Sequence, residues 1–112
     1  MRIATVTLAA MLMTGAATAQ DRTGYRAIAA GDLASAEQRI EAERRIFPER
    51  PELMLNLATV YGRTGRNADA RALYAAVLDR PAVMMDMPSG AVRSSHELAT
   101  IGITRLSPIA SR

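Results

Sequence analysis

Apolar positions recur along the chain with a helical period, broken at regular intervals by Gly, Pro and short polar runs. From Leu33 to Phe47, the residues Leu33, Ala36, Ile40 and Phe47 fall on one face, interrupted by Glu43. Gln38, Glu41 and Arg45 are expected on the opposite face, with Glu41 and Arg45 in the favoured i,i+4 order. Ahead of this helix, Tyr25–Ala30 forms a short apolar segment closed by Gly31, and Asp32 is placed to accept bonds from the free amides that follow. Pro48-Glu49-Arg50-Pro51 is a connector whose last residue suits a first helical turn.

The next helix is expected from Pro51 to about Arg63, ended by Gly65. Another follows from an N-cap at Asn67 to about Arg80, with Pro81 just beyond. The texture then changes. Ala82–Arg93 has no helical period, and two short apolar runs flank Pro88-Ser89-Gly90, which reads as a small β-hairpin near residues 83–93 or an ordered loop. Ser94-Ser95-His96-Glu97 reads as a capping box that opens a last helix to about Leu106, before Pro108. The fold class is all-α.

The first nineteen residues differ from the rest. One Arg follows Met1, an apolar run spans Ile3–Met13, and small residues end in Ala17-Thr18-Ala19. This is the pattern of a secretory signal peptide cut between Ala19 and Gln20. The apolar run is shorter than the ~20 residues of a membrane span. Residues 20–107 are then one helical domain and 108–112 a tail, in a protein expected in the periplasm, with full secretion as the alternative. With no Cys among the 112 residues, stability must come from burial.

A self-comparison adds a repeat. Shifted by 34 residues, Ala27 falls on Tyr61, Gly31 on Gly65, Ala36 on Ala70 and Ile40 on Tyr74. Met54-x2-Leu57-Ala58-x2-Tyr61, then Ala70-x3-Tyr74, then Pro81, resembles the tetratricopeptide repeat, whose pattern is W-x2-L-G-x2-Y, A-x3-F and P. The first copy keeps Gly31, Ala36-x3-Ile40 and Pro48 but has a short leading helix. The resemblance implies antiparallel helix pairs of a short solenoid, with repeats over about 20–50 and 51–81. The small Ala58 and Ala70 let two helix backbones approach, and Tyr74 and Val77 fill the space beside them. Leu98-Ala99-x2-Gly102 echoes Leu57-Ala58-x2-Tyr61, which predicts that the last helix, within residues 94–107, caps the solenoid as a third leading helix.

Charge and chemistry narrow the function. All 14 basic residues are Arg, they face 11 acidic residues, and the two signs are interleaved along the chain. There is no basic block to track a phosphate backbone, and aromatics are too few for base stacking. His96 is the only His, beside Ser94 and Ser95. Neighbours at a helix start do not point at one another, so the serines are expected to cap and His96 to be exposed, without catalysis. Met84, Met85 and Met87 could offer soft thioethers to Cu(I), although Met more often fills irregular core gaps.

A second stripe remains on the helix from Pro51: Glu52, Leu55, Asn56, Thr59 and Arg63, a polar face on which Leu55 is expected to be exposed. The resemblance implies that this face lines the concave groove that grips peptides, with Asn56 bonding ligand backbone. Arg63 could meet a carboxylate. The expected function is an exported module that binds a protein or peptide partner, needing no cofactor and no nucleic acid. A self-associating structural protein, or homo-oligomer, is the alternative, and a Met-cluster Cu(I) protein the remote one.

Overall fold

The computed structural model describes residues 23–106, so the segment 1–19 expected to be a signal peptide and the expected tail 108–112 lie outside the described residues. Among the described residues, five helices and one hairpin follow in order: α1 (Tyr25–Ala29), α2 (Leu33–Ile46), α3 (Pro51–Arg63), α4 (Asn67–Leu78), β1 (Met84–Asp86), β2 (Val92–Ser94) and α5 (Ser95–Arg105). Each helix packs on the next, and α3 also touches α5. The strands pair antiparallel, with Met84 opposite Ser94, Met85 opposite Arg93 and Asp86 opposite Val92.

The repeat is visible in the turns. Gly31 (φ 81°) and Gly65 (φ 83°) both take the left-handed conformation that a side chain disfavours. The amide of Asp32 donates to the carbonyl of Ala27 at 2.9 Å, and that of Arg66 to Tyr61 at 2.8 Å. These two bonds are related by the same 34-residue shift, and both satisfy a helix-end carbonyl in the manner of a glycine-terminated C-cap. Ala36, Ala70, Ile40 and Tyr74 are all buried, so the matched positions do matched work.

Helix starts differ from one another. The Asp32 carboxylate accepts from the amide of Ser35 at 3.3 Å, as the sequence suggests. Arg50 is extended (φ −72°, ψ 120°) because Pro51 disfavours the helical region in the residue before it. Asn67 is the first residue of α4, not its cap; Arg66 holds the cap position and makes no side-chain cap bond. The side chain of Arg66 is occupied elsewhere, in a two-toothed pair with Glu37 at 2.6 and 3.1 Å. Its guanidinium also lies 4.4 Å from the centre of the Tyr61 ring. That ring's hydroxyl donates to Glu41 at 3.3 Å, so Glu41 faces a neighbour rather than away. The Arg66 hydrogen bond lowers the Glu37 pKa against the desolvation of its site. Burial, followed by the charges of Glu41 and Glu37, raises that of Tyr61.

Two apolar clusters form the core. One joins Ala27, Ile28, Ala36, Ile40, Leu53, Leu57 and Val60 from α1, α2 and α3. The other joins Met54, Leu55, Ala58, Ala70, Tyr74, Val77 and Ala99 from α3, α4 and α5. Tyr61 and Leu73 pack against both. Phe47, expected in the core, is exposed, because α2 ends at Ile46 and the chain turns away toward Pro51. Its ring is covered by the Arg50 guanidinium at 4.1 Å instead.

The last helix closes the second cluster as the echo of Leu57-Ala58 suggests. Ala99 is fully buried against α4. Gly102 meets Tyr74 so closely that a Cβ there would stand 2.5 Å from Tyr74 Cε1. The absent side chain is the notch into which the Tyr74 ring fits. At the start of α5, Ser94 Oγ accepts from the Glu97 amide at 3.0 Å. The Glu97 carboxylate reaches Arg93 at 2.8 Å, so half of the expected capping box forms. Ser95 does not cap. It is buried, its hydroxyl accepts from the Val83 amide at 2.9 Å, and its amide donates to the Val83 carbonyl at 2.8 Å. That exchange fastens the hairpin to α5.

Candidate functional site

Three leading helices, α1, α3 and α5, turn one side to a shared depression. Two adjoining hollows, of about 400 and 560 Å³, meet along Leu55, Asn56, Thr59, Met87 and Leu98. One extends to Arg63, Ile101 and Arg105 at the far ends of α3 and α5. The other extends to Glu52, Ile28 and Tyr25, and the hairpin residues Met85, Asp86 and Pro88 form its opposite wall. A concave surface arises here because each leading helix packs on the trailing helix behind it, leaving its other side open.

All five residues of the predicted stripe line these hollows. Their environments differ from the sequence expectation in two places. Leu55, expected exposed, is 7% exposed and packs into the second core cluster, with only an edge left to the groove floor. Asn56 is not free. Its Nδ2 donates to the backbone carbonyl of Thr23 at 2.8 Å, so it binds peptide backbone, but that of its own chain. Thr59 spends its hydroxyl on the carbonyl of Leu55 at 3.0 Å, a bond within the helix that leaves its methyl toward the groove. Glu52 and Arg63 are exposed at opposite ends of α3.

Sequence reasoning missed the residues that α5 and the hairpin add. Leu98, Ile101 and Arg105 recur at i, i+3 and i+7, a signal that points them to one helix side. Asp86, Met87 and Pro88 reach the groove through the hairpin fold, which short irregular runs do not specify in advance.

Two of the three methionines, Met85 and Met87, line the same hollow. Met84 and Met85 are neighbours on β1 and point to opposite faces; Met84 is 65% exposed, while Met85 packs on the second core cluster. Met85 serves the packing role, and Met87 lines the groove. Among the described residues, no group of three or more His, Asp or Glu is placed to hold a metal ion. His96, expected exposed, is half-buried, and its Nε2 contacts the Arg80 carbonyl at 2.6 Å across the foot of the hairpin. Neither Ser94 nor Ser95 is offered to it, since the first caps α5 and the second holds Val83.

The structural repeat agrees with a comparison of the sequence with known families. The model of the tetratricopeptide repeat matches residues 27–82, half of the chain. The chain belongs to the tetratricopeptide repeat family. Comparison with curated proteins gives no match, and neither does comparison with solved structures. Tetratricopeptide repeats suggest a protein–protein interaction module, and the family is generally non-catalytic. The match ends at Ala82, so the hairpin and α5 are additions to the matched repeats, and both contribute to the groove. Among the described residues, no helix is long and apolar enough to cross a membrane.

Proposed function

We propose that this tetratricopeptide protein is an exported interaction module, delivered to the periplasm by residues 1–19, that grips a peptide or an extended protein segment in its leading-helix groove. The groove itself carries the reading. It combines an apolar floor (Leu55, Leu98, Met87) with charged ends, a surface suited to side chains and backbone of an extended chain. No catalysis and no cofactor are part of this reading. The thioether and His chemistry are absorbed into packing and hydrogen bonding at Met85 and His96.

Site-specific photo-crosslinking in the producing cell tests it. A photoreactive residue at Thr59 or Ile101 should trap a defined partner, and one at Gln38 on the outer helix should not. Equal trapping at all three positions would refute the groove. Osmotic shock should release a chain whose N-terminal residue is Gln20; a chain retained in the cytoplasm with Met1 intact would refute export.

A second reading, self-association, rests on Val83, Met84 and Val92, which are exposed apolar side chains grouped on and beside the hairpin. Sedimentation equilibrium would then show a dimer that Met84→Glu with Val92→Glu dissolves. A monomer at all concentrations excludes it.

A further inference from the structure

The groove is electrically polar along its length. Glu52, in the first turn of α3, and Asp86, on β1, line one hollow. Arg63 and Arg105, in the last turns of α3 and α5, line the other. All four are exposed, and among the described residues none of their side chains makes a hydrogen bond or ion pair. Elsewhere on the same protein, opposite charges within reach are paired: Arg66 with Glu37, Arg80 with Glu49, and Arg93 with Glu97. The four groove charges are left unpaired, sorted by sign to opposite ends.

The sorting follows from the repeat. Leading helices run parallel, because each is antiparallel to the trailing helix between them. Basic residues favour the last turn of a helix and acidic ones the first. Parallel leading helices therefore bring their favoured basic ends together, as Arg63 and Arg105 show, and Glu52 marks the opposite, acidic end, in a hollow that the hairpin residue Asp86 also lines. Between them lies the apolar strip of Leu55, Leu98 and Met87.

We propose that the groove selects an extended protein segment carrying one cationic and one anionic group about five residues apart, with apolar side chains between them. The inference rests on the groove reading above and specifies its occupant. The spacing comes from α3. Glu52 and Arg63 are separated by about 16 Å along the helix at 1.5 Å per residue. An extended chain covers that length in about five residues at roughly 3.3 Å each. The cation lies at Glu52, and the carboxylate at Arg63 and Arg105, where two Arg side chains can each offer paired N–H donors. Chain direction in the groove is set by which charged group comes first in the partner.

Fluorescence anisotropy with six-residue peptides tests this. The bipolar peptide has Lys at one end, Glu at the other and Leu at the third and fifth positions, with both termini blocked. The homopolar peptides carry Lys at both ends or Glu at both ends. A further bipolar peptide places Lys and Glu side by side. The wild-type protein should bind the spaced bipolar peptide about fivefold more tightly than any other at low salt, with the advantage shrinking as salt screens it. Unblocked peptides without charged side chains form a second arm; a preference for these would assign the two charges to chain termini rather than side chains, within the same proposal.

The variants sharpen the test. Arg63→Glu with Arg105→Glu should shift preference to the Lys–Lys peptide, and Glu52→Arg to the Glu–Glu peptide. Arg63→Gln with Arg105→Gln, milder at the helix ends, should abolish the preference without reversing it. Equal binding of bipolar and homopolar peptides overturns the polarity while leaving the groove as a binding site. Persistent crosslinking at Thr59 with no binding of any peptide in the panel also overturns it. Loss of crosslinking at Thr59 is the separate result that defeats the groove reading.

Discussion

Two glycines in helix interiors give a controlled test of how α5 docks. Gly62 in α3 and Gly102 in α5 each gain helix propensity on replacement by Ala, about 1 kcal/mol in an exposed setting. Their neighbours differ. A Cβ at Gly62 would come within 2.9 Å of Leu106 Cδ2, the mobile end of a half-buried side chain that can give way. A Cβ at Gly102 would stand 2.5 Å from Tyr74 Cε1 and 2.6 Å from its hydroxyl oxygen. Tyr74 is buried, and its planar ring must move as a unit. Overpacking costs about 1–3 kcal/mol, and a clash with three atoms of one buried ring puts this case in the upper part of that range, about 2–3 kcal/mol. Against the propensity gain, Gly102→Ala should lose about 1–2 kcal/mol net, while Gly62→Ala should be neutral or slightly stabilising. For a domain of this size each kcal/mol moves Tm by about 4–8 °C. Thermal denaturation followed by circular dichroism should therefore show a drop of about 4–16 °C for Gly102→Ala and none for Gly62→Ala. A double-mutant cycle isolates the cause: with Tyr74→Leu in place, Gly102→Ala should become neutral or stabilising. If Gly102→Ala melts at or above the wild type, the notch-and-ring account of α5 docking is wrong.

Other consequences are open to the same assays. Leu57→Ala empties a fully buried site between α2 and α3 and should cost about 2–5 kcal/mol, read as a lower urea midpoint. Gly65→Ala has open space around it but a φ of 83°, so it should lose about 1–2 kcal/mol from backbone conformation alone; an unchanged Tm would contradict the left-handed turn. Glu37 is held below the usual carboxylate value of 4.5, first by the Arg66 hydrogen bond. Its contribution to stability is fully present above that value and is lost as pH falls through the lowered folded-state value. Glu37→Gln should therefore flatten the acid limb of a Tm–pH curve, and a limb identical to wild type would remove Glu37 from the account.

The sequence carried the repeat because its signals are local. A glycine 34 residues from another glycine needs φ > 0 for the same reason in each copy, and small residues at Ala36 and Ala70 mark the same close approach. The hairpin was legible from its Pro-Ser-Gly turn and flanking apolar runs. Where expectation and structure part, non-local contacts decide. Leu55 looked exposed because its helical position belongs to the polar stripe, but the arrival of α5 buries it. Asn56 looked free until the chain before α1 crossed its amide. His96 looked exposed until the hairpin brought the Arg80 carbonyl to its ring. Glu41 looked solvated because its partner, Tyr61, lies on another helix. Residues such as Asp86 entered the groove only through the strand pairing, which depends on where α5 receives the hairpin.

Short repeat arrays face a physical difficulty, because each unit contacts only its neighbours and end units expose core. The hairpin–α5 addition meets it in two ways. It supplies Ala99 and Gly102, whose smallness lets a third leading helix sit directly on Tyr74. It also puts Met85 over the second cluster as an adaptable filler. Tyr61 and Leu73 touch both clusters, so opening one cluster removes contacts from the other. The Arg66–Glu37 pair and the Tyr61–Glu41 bond tie α2 to the turn between α3 and α4 on the outer side. This arrangement couples the degenerate first repeat to the better-formed second one. The groove gains from the same addition. Without α5 and the hairpin, α3 would present its stripe as an open helix face; with them, that stripe becomes the floor of a walled channel whose ends differ in charge.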